Sequence, residues 1–281
     1  MAYNKTEHLR RNIEAIRTAF ALEREQRAAT PEERDVLRAY SGFGAIKEVL
    51  EPLPHKKETA LTPLIEELHA VLKENTDGER EYKRYLDGIK SSVLTAFYTP
   101  APVTDAIARM LYNAGVVPVR ALEPSAGTGA FAEYLRRYNE EAEITCFEKD
   151  PLTGLILHRL HPDDTVRVQG FETIEPAYEG HFDLITSNIP FGDVSLFDPA
   201  FSSARDPVRR QGAWAIHNYF FMKSVDLVRD GGLVAFITSQ GMADAERNRP
   251  VREWLMERCD LVAAVRLPNN LFTDHAGTEA G

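Results

Sequence analysis

From residue 91 onward, short apolar runs alternate with amphipathic stretches, and this alternation restricts the fold more than anything else in the sequence. Residues 120–123, 144–148, 166–169, 183–187, 233–238 and 261–266 read as strands. Helical patterns over 102–114, 130–138, 152–160, 216–228 and 251–257 fill most of the gaps. Strands separated by helices cannot pair as tight hairpins, so they line up in parallel with helices on both faces. The expected fold class is therefore α/β, a Rossmann-like parallel sheet. Residues 1–90 differ: they read as helical, with no clear strand, which predicts a helical N-terminal segment (1–90) before the α/β domain (91–281).

Within that segment Ile13, Ile16, Phe20 and Leu22 recur at near-helical spacing among Arg and Glu residues. Thr30-Pro31-Glu32-Glu33 reads as a helix start, with a capping hydroxyl, a first-turn proline and acids against the helix dipole. Further helices are expected from about Thr62 and over 79–90. Tyr40-Ser41-Gly42-Phe43-Gly44 reads as a turn presenting two aromatic rings. No run approaches the roughly 18 apolar residues of a membrane span. The N-terminus carries no signal-like apolar region, so no membrane association and a cytoplasmic location are expected. Two cysteines provide neither a disulfide framework nor metal-ligand spacing, and Cys146 is expected to be a buried thiol. A net charge of -10 argues against a dedicated electrostatic clamp on DNA, but leaves room for a local basic surface.

The first chemical cluster is Glu123-Pro124-Ser125-Ala126-Gly127-Thr128-Gly129, followed by Ala130 and Phe131. It reads as a strand end, a glycine turn and a helix start, with Gly127 and Gly129 allowing a ligand to approach backbone N–H groups. Similar turns elsewhere hold phosphate. Here Glu123 would repel phosphate, and it suits instead the amino group or sulfonium of S-adenosylmethionine. Glu148 ends the next strand and can accept from both ribose hydroxyls. Phe171 and Glu172, after the third strand, are expected to offer an apolar face and an acceptor to the adenine ring.

The second cluster is Asn188-Ile189-Pro190-Phe191, at the end of an apolar strand. An exocyclic amine is a poor nucleophile while its lone pair is delocalised into the ring. Two acceptors on its two N–H bonds favour a tetrahedral nitrogen: the Asn188 side-chain oxygen and the Ile189 carbonyl, which Pro190 helps to aim. Phe191 can stack on a base. Alignment then serves better than a strong general base. In duplex DNA this nitrogen is inaccessible, so the base must be flipped or the strand single. The loop over 192–211, with Phe197, Phe201, Arg205, Arg209 and Arg210, is a candidate path for that strand, whereas Trp214, His217, Tyr219 and Phe220 are expected to pack the following helix.

Together these clusters resemble the amino-methyltransferase branch of the S-adenosylmethionine-dependent enzymes. Ala96-Phe97-Tyr98-Thr99-Pro100 is similar to that family's motif X, residues 123–131 to motif I, Glu148 to the motif II acid and residues 188–191 to motif IV. The order X, I, IV is that of the gamma-class DNA adenine-N6 methyltransferases, which include type I modification subunits. The resemblance implies that Tyr98, Thr99 and Pro100 contact the cofactor and that Asn188 and the Ile189 carbonyl bind the target amine. Ile189 stands where the family usually has proline, which keeps the carbonyl and loosens the loop. Tyr40–Gly44 is also similar to N-terminal segments of methylase–helicase proteins of mobile elements. In that light DNA is the expected partner, with a helicase or specificity domain or subunit outside this chain. Residues 267–272 and 276–278 are similar to the start of a closing hairpin, so the chain is expected to be a fragment or a truncated member. Two alternatives stay open: a protein-glutamine or RNA amino-methyltransferase, and a binding module without turnover.

Overall fold

The computed structural model describes residues 4–44, 46–53, 58–95, 98–190 and 194–268. Four helices come first: α1 (Lys5–Glu25), α2 (Pro31–Arg38), α3 (Thr62–Glu74) and α4 (Glu79–Thr95). The apolar spacing anticipated for α1 is its buried face: Ile13, Ile16, Phe20 and Leu22 are all 5% exposed or less. Each such side chain contributes roughly 1.5–3 kcal/mol relative to exposure. Helix α2 starts with a full capping box, in which Thr30 receives the Glu33 amide and the Glu33 carboxylate receives the Thr30 amide.

After α5 (Ala101–Asn113) the chain alternates: β1 (Arg120–Glu123), α6 (Ala130–Tyr138), β2 (Glu143–Phe147), α7 (Pro151–Leu160), β3 (Thr165–Arg167) and β4 (Phe182–Asn188). The short helices α8 (Pro199–Ser202) and α9 (Pro207–Gly212) lead to α10 (Ile216–Leu227), β5 (Val228–Ile237), the short α11 (Gly241–Asp244) and α12 (Arg249–Met256). The five strands form one sheet in the order β3-β2-β1-β4-β5, every pairing parallel. Its two faces are both covered, as parallel sheets require. Ala121, Ile144, Cys146 and Leu184 pack with Ala132 and Leu135 of α6 and Leu157 of α7. Leu122, Phe147, Phe182 and Ile185 pack with Tyr219 of α10 and Trp254 of α12. Phe182 and Leu184 of β4 belong to different clusters, and the β4–β5 register shifts between them, with the extra residues on β5.

The order reverses beside β1: the chain passes to β2 and β3 on one side, then returns to β4 on the other. A crevice at the strands' carboxyl ends, where the order switches, is where open α/β sheets take ligands. The helical N-terminal segment is not separate from this sheet, because Leu152, Ile156 and Leu160 of α7 share one buried cluster with α1 through α4.

Two expectations are corrected. Residues 261–266 form no strand; Leu261, Val262 and Val265 are 80%, 78% and 69% exposed. Apolar composition alone does not make a strand without a neighbouring ladder, and among the described residues β5 pairs only with β4. The Tyr40–Gly44 turn also does not present its rings: Tyr40 and Phe43 are buried. Asn12 closes the turn from below, donating to the Gly42 carbonyl at 2.5 Å and accepting the Ser41 amide at 2.9 Å, while Ser92 Oγ accepts the Phe43 amide at 3.0 Å.

Candidate active site

Both clusters lie at the carboxyl ends of adjacent strands. Glu123 ends β1, Asn188 ends β4, and Leu122 pairs with Ile185 between them. The Ser187 hydroxyl donates to the Ser125 carbonyl at 2.9 Å, which fastens the end of β4 to the glycine loop. Ile189 is held from the other side, its amide donating to the Ile237 carbonyl of β5 at 3.1 Å, and its side chain is fully buried. That burial and hydrogen bond fix the backbone at Ile189.

The glycine loop needs its glycines. Gly127 has φ +56 and Gly129 φ +83, conformations that side chains rarely adopt. A Cβ on Gly127 would stand 2.9 Å from the Tyr98 ring, and one on Gly129 would run into His161. Tyr98 of the motif X segment thus lies directly against the motif I turn. Thr99 follows it, and Pro100 is the N-cap of α5. Ala96 and Phe97 lie outside the described residues, as does Phe191.

Glu123 is only 2% exposed, and its carboxylate accepts the Ala132 amide at 3.0 Å in the first turn of α6. Burial pushes its pKa well above the ordinary carboxylate range, against the pull of the α6 amides. It braces the loop from beneath. Glu148 reaches the loop itself: Oε2 accepts the Gly127 amide at 2.8 Å and Oε1 the Asp150 amide at 2.7 Å. Each carboxylate oxygen keeps a second lone pair for a further donor. Loss of solvent, and then the neighbouring Asp150 charge, raise the Glu148 pKa to about 7.

Behind Glu148 lies a network that the sequence did not suggest. Asp150 caps α7, accepting the Leu152 and Thr153 amides at 3.3 Å and the Thr153 hydroxyl at 2.5 Å. The same hydroxyl lies 3.3 Å from the hydroxyls of both Tyr98 and Tyr40. The rings of Tyr40 and Tyr98 meet edge to face at 6.2 Å, and burial raises both phenol pKa values, keeping them neutral. Helix α4 closes in at Gly88, where a Cβ would run into Asp150 Oδ1. Asp-Pro before a helix was the one local signal for Asp150.

Other expectations change on the acceptor side. Phe171 offers no face to an adenine ring: it is 2% exposed and packs into the core of the sheet's second face, against Phe220 at 5.0 Å and Phe147 at 6.1 Å. Glu172 fits better, since its Oε2 is buried without a hydrogen-bond partner while Oε1 lies 3.5 Å from Lys149. A buried acceptor of this kind suits an amino group. In the 192–211 loop, Phe201 is fully buried and Arg209 is spent on Asp226, stacked 4.4 Å over the Phe201 ring. His217, Tyr219 and Phe220 pack as expected, but Trp214 is 67% exposed.

Residues 90–278 match the family model for N-6 DNA methylase. The "Defense against restriction protein B" of Escherichia phage P1 is 28% identical over 195 residues, covering 68% of this chain and 8% of that protein. The type II methyltransferase M.XamI of Xanthomonas campestris pv. amaranthicola is 26% identical over 187 residues, covering 60% of this chain and 34% of that one. The chain thus spans about a third of the length of one of these relatives and 8% of the other. Among solved structures, a modification subunit of a putative type I restriction enzyme from Vibrio vulnificus YJ016 superposes with a TM-score of 0.48 at 15% identity, covering 69% of this chain and 46% of that one. A putative class I S-adenosylmethionine-dependent methyltransferase from Listeria monocytogenes gives 0.49 at 17% identity, covering 89% and 79%.

Proposed function

This chain belongs to the N-6 DNA methylase family, and from that premise we propose that it transfers a methyl group from S-adenosylmethionine to N6 of an adenine in DNA. The base is flipped out of the duplex or lies in a single strand, since a stacked and paired base keeps N6 out of reach. When bound, S-adenosylmethionine supplies an electrophilic sulfonium methyl. The chain's residues do the rest by holding and aligning.

One observation carries this reading. The amine-gripping pair, Asn188 and the Ile189 carbonyl, stands at the end of β4, tied through Ser187 to the glycine loop at the end of β1. That juxtaposition brings a donor cradle and an acceptor grip to one crevice. In it, Gly127, Thr128 and Gly129 offer backbone to the cofactor, with Pro124, Ser125, Ala126 and Phe131 shaping the turn. Glu148 takes the ribose hydroxyls through its spare lone pairs, and Glu172 the adenine amino group. Tyr98, Thr99 and Pro100 close the cradle from the α5 side. Glu123 acts through the loop it braces. At the acceptor, Asn188 Oδ1 and the Ile189 carbonyl accept the two N–H bonds of the amine and localise its lone pair. Pro190 aims that carbonyl, and Phe191 stacks on the base. The amine's surplus proton leaves to solvent after transfer, so no strong base is required.

Sequence selection belongs, on this reading, to a helicase or specificity region acting with the domain in the cytoplasm. Among the described residues no helix is long and apolar enough to cross a membrane. Parallel transfer reactions with labelled S-adenosylmethionine on unmethylated DNA, RNA and a peptide release factor test the proposal. Label in DNA alone is expected; label in RNA or in protein glutamine would replace it.

A further inference from the structure

The segment 194–214 is tied at its root, and two aromatic rings stay exposed beside the tie. The Leu196 amide donates to the Ala213 carbonyl at 2.9 Å, which brings the two ends of the 194–214 excursion together. Ala213 is buried and Leu196 packs against the core of the sheet's second face. The very next residue on each side points the other way: Phe197 is 75% exposed and Trp214 67%. Two large aromatic side chains, flanking the Leu196–Ala213 tie in the segment that follows β4, therefore stand in water, where burial would have been the cheaper arrangement.

The charges around them are sorted by direction. Asp198 is buried, held by the Tyr219 hydroxyl at 2.7 Å and Lys223 at 3.4 Å. Asp206 caps α9 and accepts the Trp254 indole N–H at 2.8 Å. Arg209 is paired with Asp226. Arg205 and Arg210 stay exposed, and no carboxylate pairs with either among the described residues. Arg210 instead braces the excursion, donating to the Ala204 and Arg205 carbonyls at 2.6 and 3.0 Å. In a chain of net charge -10, this stretch turns its acids inward and two arginines outward.

We propose that Phe197 and Trp214 form a stacking platform for unpaired bases beside the target adenine, with Arg205 and Arg210 on the phosphates of the same strand. The inference rests on the DNA reading above. Flat aromatic faces with cations alongside suit a single strand, because every base has a face to stack and each nucleotide carries one phosphate. A protein partner would find less here: the exposed apolar side chains of the segment are the two rings and Val194, with arginines alongside.

The chain reports on this itself, for it has two tryptophans, one exposed at 214 and one buried at 254. Titrating the full chain with an adenine-containing single strand of about 15 nucleotides, a length within known single-strand site sizes, is expected to quench tryptophan emission and to shield it from iodide. Heparin, a polyanion without bases, is expected to leave the emission unchanged; equal quenching by heparin would overturn the platform. Trp214→Ala should abolish the quench and raise KM for DNA about tenfold, with S-adenosylmethionine affinity unchanged and Trp214→Phe restoring most of the loss. Methylation by Trp214→Ala with an unaltered KM would overturn the platform and leave the methyltransferase reading intact. Failure of the wild-type chain to methylate any DNA would instead remove the reading on which it rests.

Discussion

The two sides of the crevice are built in opposite ways. On the donor side the polar groups around Glu148 are tied into one chain: Glu148 to the Gly127 and Asp150 amides, Asp150 to Thr153, and Thr153 to Tyr98 and Tyr40. Segments more than a hundred residues apart meet there, and the helical N-terminal segment is part of the meeting. On the acceptor side Asn188 and Ile189 end a rigid strand, and beyond them the chain leaves the core and exposes Phe197 and Trp214. The contrast matches two tasks. A small cofactor of constant shape favours a preorganised cradle, whereas a polymer of varied sequence favours an open, sequence-tolerant surface.

If that division holds, substitutions on the two sides separate cleanly. Asn188→Ala should have the largest effect, lowering kcat about a thousandfold while calorimetric S-adenosylmethionine affinity stays within about twofold. Equal loss of both quantities would break the comparison. Gly127→Ala places a Cβ 2.9 Å from Tyr98 at a φ of +56, and cofactor affinity should drop about a hundredfold, with KM for DNA barely moved. Glu148→Ala should weaken cofactor binding by about thirtyfold, the loss of charged hydrogen bonds; unchanged affinity would remove its ribose role.

The raised pKa of Glu148 adds a pH signature. Its folded value of about 7 lies above the ordinary 4.5, so the folded chain holds the proton more tightly than the unfolded one. This group's contribution to stability is complete below about pH 4.5 and is lost as pH rises through about 7. Thermal midpoints of the cofactor-free chain should fall less steeply over that window in Glu148→Gln. Cofactor affinity should change the other way, strengthening as the carboxylate ionises, and the same variant should flatten it. The smallest effect is expected of Tyr40→Phe, which keeps the ring and removes one hydroxyl from Thr153. A rise in KM for S-adenosylmethionine of about threefold, the scale of one neutral hydrogen bond, with kcat and DNA KM unaltered, would place the N-terminal segment within the donor machinery.

The sheet and both clusters were legible in the sequence because their signals are local. Strand–helix alternation, glycines that need positive φ, an acid at a strand end and an Asn-x-Pro each act over a few residues. What stayed hidden depends on distant partners. Tyr40 looked like a displayed ring because nothing near it in sequence reveals Asn12 and Ser92 closing its turn. Phe171 and Trp214 exchanged their expected places, one filling the core and the other standing in water, since an aromatic residue after a strand carries no mark of which side needs filling. Residues 261–266 have strand-like composition and form no strand, because pairing is decided by neighbours and not by propensity.

The central claim, methyl transfer to adenine N6 in DNA, is tested most directly by the identity of the modified base. The chain is incubated with labelled S-adenosylmethionine and unmethylated genomic DNA, the DNA is digested, and the nucleosides are separated. The account predicts label in N6-methyladenine, absent with Asn188→Ala. Label in N4-methylcytosine, or no incorporation by the wild-type chain, would contradict it.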